Sequence, residues 1–276
     1  MTRNACLSLG AATLILALLG GGATASRPVA AALPKRIVSL NLCADQMVLA
    51  LADRSQIAGL TRNAIDPEMS AAATAARGLP ILHGSAEEVL VADPDLLVGI
   101  ATRRHPAAAV LDPKRYRTVD IESAESYDAI KASVRQVAKA VDHPARGEAL
   151  IARMDAEMAR IGKARPGLVA AYYQRRGYLT GTGTLIDDLM RRVGMTNLAT
   201  RLGKPPLSQT SLEEMAAARP DYLIVESATD EVADQGTEML HHPALKGMKR
   251  ISIPQAWTVC GGPAYVKAAR ALAAAR

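Results

Sequence analysis

The stretch "SAEEVLVADPDLLV", from Ser85 to Val98, returns later in the chain as "SLEEMAAARPDYLI", from Ser211 to Ile224. The two copies align without a gap and agree at seven of fourteen positions. Each begins with a Ser that can cap a helix, has a Glu three residues further on, and passes through Pro-Asp into an apolar run typical of a strand. One helix-to-strand unit used twice predicts a chain built from two similar halves.

Strands alternate with helices on both sides of the repeated unit. The apolar runs that predict strands are "RIVSL", "LPIL", "DLLVGI" and "YRTVDI" in the first half, and "LVAAYY", "DYLIVE" and "RISI" in the second. Strands separated by helices at this spacing indicate βαβ units and a mainly parallel sheet, so the predicted fold class is α/β.

A long helix is predicted between the two halves. The segment "ARGEALIARMDAEMARIGKA" carries Leu150, Met154 and Ile161 on one face, the apolar stripe of an amphipathic helix, and Pro166 stops it. The predicted organisation is an N-terminal α/β lobe over residues 36–142, a linking helix over 143–165 and a C-terminal α/β lobe over 166–276.

The N-terminus predicts export. Residues 1–25 are predicted to be a signal peptide, because Arg3 precedes the apolar "LILALLGG" and small residues lead up to Ser26. The apolar run is short for a membrane span, and an uncleaved N-terminal anchor is the alternative. Residues 26–35 are predicted to be a flexible lead-in. We therefore expect a soluble, monomeric mature protein in the periplasm.

Composition and motifs argue against several classes of function. The net charge is +6, but Lys and Arg are scattered rather than massed in runs, which argues against nucleic-acid binding. The sequence has no G-x-S-x-G, H-E-x-x-H, Walker A or G-x-G-x-x-G motif, so we do not expect an enzyme. Five scattered histidines without ligand spacing argue against a receptor for a free metal ion.

The two glutamates of each copy have different expected roles. Glu88 and Glu214 lie at the third helical position, where the side chain completes a capping box with the Ser of the same copy. Glu87 and Glu213 lie one position earlier and are not needed for the box. A favourable interaction with the helix dipole is one explanation for them. The other is that two lobes present a pair of carboxylates to a two-fold symmetric partner that carries cations.

The ordered set of motifs resembles a known family. "RIVSLNLCADQMVLALADRSQIAGLT", both copies of the repeat, the linking helix, "GTLIDDLMRRVGMTNLA" and Trp257 with Pro263 six residues later look like the periplasmic binding proteins of ABC importers for ferric siderophores, haem and cobalamin. The resemblance covers about residues 36–276. It implies two Rossmann-like lobes bridged by one rigid α-helix, a ligand cleft between the lobes and little hinge closure.

The resemblance also implies partners. One Glu from each lobe is expected to meet arginines on the two subunits of a membrane permease, and the register from Pro-Asp assigns these roles to Glu87 and Glu213. The expected ligand is a metal chelate, either a ferric siderophore or a cobalamin-type corrinoid, and no cofactor or bound metal of the protein's own is expected. A receptor for haem or for a free metal ion is the alternative, and a secreted enzyme is a weaker one.

Candidate ligand contacts follow from the strands. In open α/β sheets ligands bind outside the carboxyl ends of the strands. The residues predicted to line the cleft on this basis are Asn41, Cys43, Arg62, His83, Arg103, Arg104, Tyr172, Arg175, Tyr178, Trp257 and Cys260. Alternation along a strand places Tyr172 and its neighbour Tyr173 on opposite faces.

Several of these residues have two possible roles. Loop arginines attract carboxylate or catecholate oxygens or are simply solvated. Trp257 offers a flat contact surface or packs between helix and strand, and His83 faces the cleft or is structural. Cys43 and Cys260 form a disulfide that pins the cleft or remain free thiols. The arginines favour an anionic ferric chelate, which we prefer, whereas Trp257, at a position similar to one in cobalamin-binding relatives, favours cobalamin.

Overall fold

The first half of the chain forms a five-stranded sheet in the computed structural model, which describes residues 33–109, 111–112, 114–164 and 166–274. Its strands are β1 (Ile37–Ser39), β2 (Ile57–Thr61), β3 (Ile81–Leu82), β4 (Leu96–Gly99) and β5 (Arg117–Asp120). They are all parallel, in the order β3-β2-β1-β4-β5. The order reverses between β1 and β4, so the sheet is doubly wound and ligand is expected at that reversal.

The second half holds a sheet of matching topology. Its strands are β6 (Val169–Tyr172), β7 (Tyr178–Thr180), β8 (Thr196–Asn197), β9 (Leu207–Gln209), β10 (Tyr222–Glu226) and β11 (Lys249–Ile253). Strands β11-β10-β6-β8 form a parallel sheet, and β7 pairs with β9 in a small antiparallel one. In order, β8, β6, β10 and β11 correspond to β2, β1, β4 and β5. The predicted α/β class with mainly parallel sheets is confirmed.

The helices connect the strands as the alternation predicts. They are α1 (Leu42–Leu51), α2 (Ala73–Ala76), α3 (Ala86–Ala92), α4 (Pro106–Ala109), α5 (Tyr127–Ala140), α6 (Pro144–Arg160), α7 (Leu185–Arg192), α8 (Leu198–Arg201), α9 (Leu212–Ala218), α10 (Gln235–Glu238) and α11 (Tyr265–Ala273). In the described part of the chain no helix is long and apolar enough to cross a membrane. The predicted signal peptide, residues 1–25, lies outside the described residues.

The two copies of the repeat adopt the same backbone. Helices α3 and α9 both end in a left-handed residue, Asp93 with φ 42° and ψ 63° and Arg219 with φ 43° and ψ 63°. This conformation satisfies the last carbonyls of a helix, and the Pro that follows prevents continuation. The repeated residues therefore encode the same helix C-terminus in both copies.

The Asp after each Pro has a structural role that the sequence analysis did not identify. Asp95 accepts hydrogen bonds from the backbone N–H groups of Lys35 and Arg36, at 2.7 and 3.0 Å, just before β1. Asp221 accepts one from the backbone N–H of Val169, at 2.8 Å, where β6 begins. Each copy thus ties its own strand to the neighbouring central strand, which explains why Pro-Asp recurs.

One hydrophobic core joins the two sheets. Successive residues of the strands alternate between this shared core and a separate outer cluster: Ile37 and Ile224 face the shared core, whereas Val38 and Leu223 face the outer clusters. Residues 33–276 accordingly form one compact unit, with one parallel sheet in each predicted lobe. A continuous core resists a hinge between the sheets.

The linking helix packs closely on α5. Helix α6 begins at Pro144, a favourable first position, and ends at Arg160, inside the predicted range 143–165. A Cβ atom on Gly147 would lie 2.5 Å from the Cβ of Ala138, so only glycine permits this approach of α6 to α5. The helix is therefore held along its side and does not act as a free connector.

A buried carboxylate fixes three helices together. The Oδ2 atom of Asp188, on α7, accepts hydrogen bonds from the Tyr127 backbone N–H at 3.0 Å, the Tyr265 hydroxyl at 2.7 Å and the Arg192 Nε–H at 2.9 Å. These groups belong to α5, α11 and α7. Because hydrogen bonds are directional, these three bonds set how the three helices lie relative to one another.

Candidate functional site

A cavity of about 570 Å³ follows the carboxyl ends of the first sheet. Strands β1 to β4 each contribute the residues directly after them, as the doubly wound topology requires. We call it the N-terminal cavity, and its lining residues are Leu40, Asn41, Leu42, Cys43, Thr61, Arg62, Asn63, Met69, Leu82, His83, Gly84, Ile100, His105, Val259 and Cys260.

A second cavity, of about 250 Å³, lies at the carboxyl ends of the second sheet. We call it the C-terminal cavity, and its lining residues are Glu125, Tyr172, Gln174, Thr180, Thr184, Leu185, Ile186, Glu226, Gln255, Thr258 and Val259. Val259 lines both cavities. The two cavities therefore adjoin at Val259, and we call them together the cleft.

A disulfide forms part of the cleft wall. Cys43, in the first turn of α1, is bonded to Cys260, and their Cα atoms are 5.3 Å apart. The disulfide alternative for these residues is confirmed, and the free-thiol alternative is wrong. A Cβ atom on Gly261 would lie 2.5 Å from the Cβ of Ala124, so the residues after the disulfide also pack directly on the chain before α5. The Val259 loop, which belongs to the second half of the chain, is thus pinned to the first half.

A buried acid is bonded to Thr61, one of the residues that line the N-terminal cavity. Asp45, on α1, has no exposed surface and accepts hydrogen bonds from the Thr61 backbone N–H at 3.0 Å and the Thr61 hydroxyl at 2.5 Å. Burial raises the pKa of the Asp45 carboxyl to about 6, although the Thr61 bonds oppose the shift. Asn41 caps the same helix by accepting from the Ala44 N–H at 3.0 Å. These contacts hold the end of β2 in place and so fix the backbone position of Arg62, the residue that follows it.

Of the two histidines that line the N-terminal cavity, His83 is the better placed to bind the metal of a ligand. Its Nδ1 atom lies 2.9 Å from Glu88 Oε1, and its side chain is 78% exposed. An Nδ1–H that donates to a carboxylate leaves Nε2 free to bind a metal or accept a proton, the usual arrangement of a metal-ligating histidine. His105 is less suitable, because its Nδ1 accepts from the Ala107 N–H at 3.2 Å. Among the described residues, no group of three or more His, Cys, Asp or Glu could hold a metal ion by itself.

The wall of the C-terminal cavity is acidic. The Tyr172 hydroxyl donates to Glu226 at 3.2 Å, and burial raises the pKa of the Glu226 carboxyl. Glu125 accepts from the Leu185 N–H at 3.1 Å and from the Ser123 hydroxyl at 2.9 Å. Hydroxyl and amide groups, including Gln174, surround the two carboxylates. This half of the cleft suits a ligand that donates hydrogen bonds.

Neither carboxylate is among the ligand contacts predicted from the sequence. Glu226 ends the strand "DYLIVE", so the carboxyl-end rule carried a signal for it. Glu125 comes from a loop in the other half of the sequence, and no local pattern indicates that it reaches the second sheet.

The predicted ligand contacts divide into two groups. Asn41, Cys43, Arg62, His83 and Cys260 line the N-terminal cavity and Tyr172 lines the C-terminal one. As predicted, the Tyr172 and Tyr173 side chains face different clusters, and the Tyr173 hydroxyl donates to the Thr210 carbonyl. Within the described chain, the remaining predicted contacts lie outside the lining of both cavities: Arg103, Arg104, Arg175, Tyr178 and Trp257.

Physical reasons account for those that lie outside. Arg103 and Arg104 are exposed on a turn after β4, and Arg175 is ion-paired with Asp234. Trp257 ends the 3₁₀ turn Gln255–Trp257 and packs against the shared core. With three residues per turn, such a helix aligns Gln255 with Thr258 on the cleft side and leaves Trp257 on another side.

The repeated glutamates differ in their contacts. Glu88 completes the predicted capping box, accepting from the Ser85 N–H at 3.2 Å. Glu214 does not: Ser211 still caps the helix, but the Glu214 carboxylate bonds to Lys204 Nζ at 2.7 Å. The predicted box is therefore wrong for the second copy, because a lysine from the loop after α8 competes for the carboxylate.

Glu87 and Glu213 both lie exposed in the first turns of α3 and α9. Hydrogen bonds from the residue's own backbone N–H and from the capping Ser hydroxyl lower the pKa of each carboxyl. Both are therefore ionised at neutral pH. Residues that align between the two copies in sequence therefore also occupy equivalent positions in α3 and α9.

Comparison with known proteins identifies the family to which the sequence is similar. The model of the periplasmic binding protein family matches residues 37–251. A protein named as cobalamin-binding from Halobacterium salinarum is 24% identical over 208 residues, which is 72% of the chain and 56% of that relative. The chain therefore spans little more than half the length of the curated relative it matches.

Solved structures share the fold. A periplasmic binding protein from Veillonella parvula is 17% identical with a TM-score of 0.71, covering 87% of this chain and 90% of that one. A periplasmic haem-binding protein from Roseiflexus sp. RS-1 is 24% identical with a TM-score of 0.62, covering 87% and 98%. A periplasmic vitamin B12-binding protein from Vibrio cholerae is 14% identical with a TM-score of 0.63, covering 87% and 96%.

Proposed function

Because the chain belongs to the periplasmic binding protein family, we propose that it captures a metal chelate in the cleft and delivers it to an ABC importer. The observation that carries the proposal is the cleft itself, formed by the carboxyl ends of two parallel sheets and closed by the Cys43–Cys260 disulfide. The predicted signal peptide agrees with a periplasmic location, and so does a disulfide, which persists in oxidising compartments. In this proposal the protein is a monomer that catalyses no reaction and carries no cofactor.

The chemistry of the cleft favours a corrinoid among the chelates. Glu125 and Glu226 would repel the carboxylates or catecholates of an anionic ferric siderophore, but they accept hydrogen bonds from the amide groups around a corrin ring. Arg62 is the one arginine among the lining residues of the described cavities, so the argument for an anionic ligand is weaker than the sequence suggested. The similarity to a protein named as cobalamin-binding supports the same ligand.

Haem is the second candidate, and His83 is the observation that favours it. An exposed imidazole oriented by Glu88 at the edge of the cleft could bind the iron of a haem directly. The haem carboxylates would then lie toward Arg62. Substitution of His83 therefore distinguishes the two ligands.

Ligand binding to the mature protein tests the proposal. Thermal unfolding is measured with cyanocobalamin, haem, a ferric hydroxamate and a ferric catecholate. At a hundred times its Kd, the true ligand should raise Tm by about 5–10 °C. Cyanocobalamin is expected to do so, and Glu226→Lys should weaken its binding. His83→Ala should leave cyanocobalamin binding intact and would abolish haem binding if haem is the ligand. No shift with any of the four would contradict the proposal.

We also propose that Glu87 and Glu213 dock the protein on the permease. Each is an exposed carboxylate at the same position of the two repeats, and each stands beside a glutamate that is already used within the fold. The double charge reversal Glu87→Arg with Glu213→Arg should abolish stimulation of the importer's ATPase without changing the Kd for the ligand. Glu68→Arg, another exposed site, controls for charge. An equal loss of ligand affinity would contradict the assignment.

A further inference from the structure

The outer face of α3 carries apolar side chains beside the exposed carboxylate of Glu87. Leu90 and Val91 lie three and four residues after Glu87, so the three side chains share one face of the helix. Leu90 is 48% exposed and Val91 is 84% exposed, the largest value among the exposed large hydrophobic residues of the described chain. The opposite face of α3, with Val89 and Ala92, makes the contacts to the outer cluster of the first sheet. We call Glu87, Leu90 and Val91 the α3 patch.

The corresponding face of α9 lacks these side chains. By the register of the repeat, Glu213 corresponds to Glu87, while Ala216 and Ala217 stand where α3 has Leu90 and Val91. The two helices have the same length and the same left-handed end. The repeat therefore keeps the carboxylate in both halves but keeps large apolar neighbours in only one.

The charge of the α3 patch restricts what can cover it. Glu87 is ionised at neutral pH, because its hydrogen bonds lower the pKa of the carboxyl. Two copies of the chain meeting patch to patch would bring the two Glu87 carboxylates together, and like charges oppose such a contact. Anionic lipid headgroups would repel it for the same reason. A protein surface with a cation next to an apolar depression is complementary.

The geometry points to unequal docking, and this inference rests on the proposed function. We propose that the α3 patch is the main anchor on the permease, with Leu90 and Val91 in an apolar depression beside the cation that pairs with Glu87. Apolar neighbours exclude water from an ion pair at a contact and thereby strengthen it. At α9 the alanines leave the Glu213 pair solvated, where an ion pair contributes little. The α9 contact then mainly orients the molecule.

Two matched variants test this inference. Leu90→Ser with Val91→Ser removes the apolar part of the α3 patch, and Ala216→Ser with Ala217→Ser makes the corresponding polar change on α9. Binding of the fluorescently labelled mature protein is measured on right-side-out membrane vesicles from the organism that makes it. The α3 variant should bind about tenfold or more weakly. The α9 variant should change by less than about twofold. Equal effects would overturn the inference.

Further measurements distinguish a failure of the unequal anchor from a failure of the docking proposal. If the Glu87→Arg, Glu213→Arg variant loses vesicle binding but the α3 variant binds like wild type, the unequal anchor is wrong and the docking proposal stands. If the charge reversal still binds, the docking proposal itself is wrong. A photo-crosslinker at residue 91 should attach to a polytopic permease subunit, identified by mass spectrometry, and more efficiently than one at residue 217. The α3 patch is instead a self-interface if wild type sediments as a dimer and the α3 variant as a monomer.

Val91→Ser alone guards against misfolding. Because Val91 is almost fully exposed, its substitution should leave Tm unchanged. It should still weaken vesicle binding, though less than the double variant does. If Val91→Ser bound the vesicles like wild type, the anchoring role of the α3 patch would be contradicted, even if the double variant were unstable.

Discussion

At the scale of single residues, the cleft depends on acids that the fold withdraws from water. Asp45 is buried and bonded to Thr61, which lines the N-terminal cavity, and Glu226 lies in the wall of the other cavity next to the Tyr172 hydroxyl. Burial raises the pKa of both carboxyls because the charged form loses hydration. The hydrogen bonds of these groups hold the ends of the strands in place. Ionisation of the buried carboxyls lowers the free energy of unfolding.

Asp45 should therefore give the protein a measurable pH dependence. The pKa of its carboxyl is about 6 in the folded protein against an ordinary 3.8. The folded state holds this proton more tightly than the unfolded state, so the stabilising contribution is complete below about pH 4 and is lost as the pH rises through about 6. Relative to Asp45→Asn, wild type should lose roughly 2 kcal/mol of unfolding free energy between pH 4 and 7, measured by urea denaturation.

Asp53→Asn is the control for that experiment. Arg146 bonds to Asp53 at 2.7 Å and lowers the pKa of its carboxyl, so its contribution is present at neutral pH and is lost as the pH falls. The stability difference for this variant should change in the opposite direction. A pH-independent difference between wild type and Asp45→Asn would contradict the role assigned to Asp45.

At the scale of elements, the repeated helix separates its two glutamates by position. The third-position residues are used within the chain, Glu88 in a capping box and Glu214 in a pair with Lys204. The second-position residues, Glu87 and Glu213, are left for solvent or a partner. The local pattern was enough to predict the box at α3, but not the lysine that displaces it at α9, since Lys204 is ten positions away in sequence.

Stability measurements should reproduce this difference. Ser85→Ala and Ser211→Ala each remove a helix cap and should each cost about 1 kcal/mol of unfolding free energy. Glu88→Ala should lower the urea midpoint more than Glu214→Ala, because Glu88 accepts from the backbone N–H groups of Ser85 and His83, whereas Glu214 loses only a surface ion pair. An equal or larger effect of Glu214→Ala would show that the two helices are capped differently from the structure described.

At the scale of the whole molecule, the two halves are held as one body. The shared core, the Asp188 network and the Cys43–Cys260 bond all join parts of the two sheets or the helices between them. The Val259 loop, which lines both cavities, is next to the disulfide. The expected small hinge motion thus has a structural basis in three separate connections.

Reduction of the disulfide should weaken both stability and ligand binding. The bond spans 217 positions. A closed loop of that length contributes about 5 kcal/mol in the chain-entropy model, equivalent to a fall in Tm of about 10–20 °C on its removal. Ligand affinity should fall as well, because the Val259 loop is released from α1. Calorimetry with and without reductant measures the change, and a Cys43→Ser, Cys260→Ser variant should not respond further to reductant. An unchanged Tm after complete reduction would contradict this prediction.

The sequence by itself determined the features that depend on near neighbours. The α/β class follows from the alternation of short apolar runs with helical periodicity, and the α3 capping box and the exposed position of Glu87 follow from residues within one helical turn. The carboxyl-end rule also located Asn41, Arg62, His83 and Tyr172 at the cleft. It does not place Trp257, which ends a 3₁₀ turn and packs against the shared core outside the lining of both cavities, so the contact of Trp257 with ligand stays a prediction.

Tertiary structure alone decided the features that depend on distance between remote residues. It joined Cys43 to Cys260, brought Glu125 to the second sheet opposite Glu226, and paired Arg175 with Asp234 outside the cleft. The physical reason is that local propensities act over a few residues, whereas the polarity of a cleft is set by which loops the packed core brings together. The acidic wall of the C-terminal cavity, from which we propose a corrinoid ligand, arises in this way.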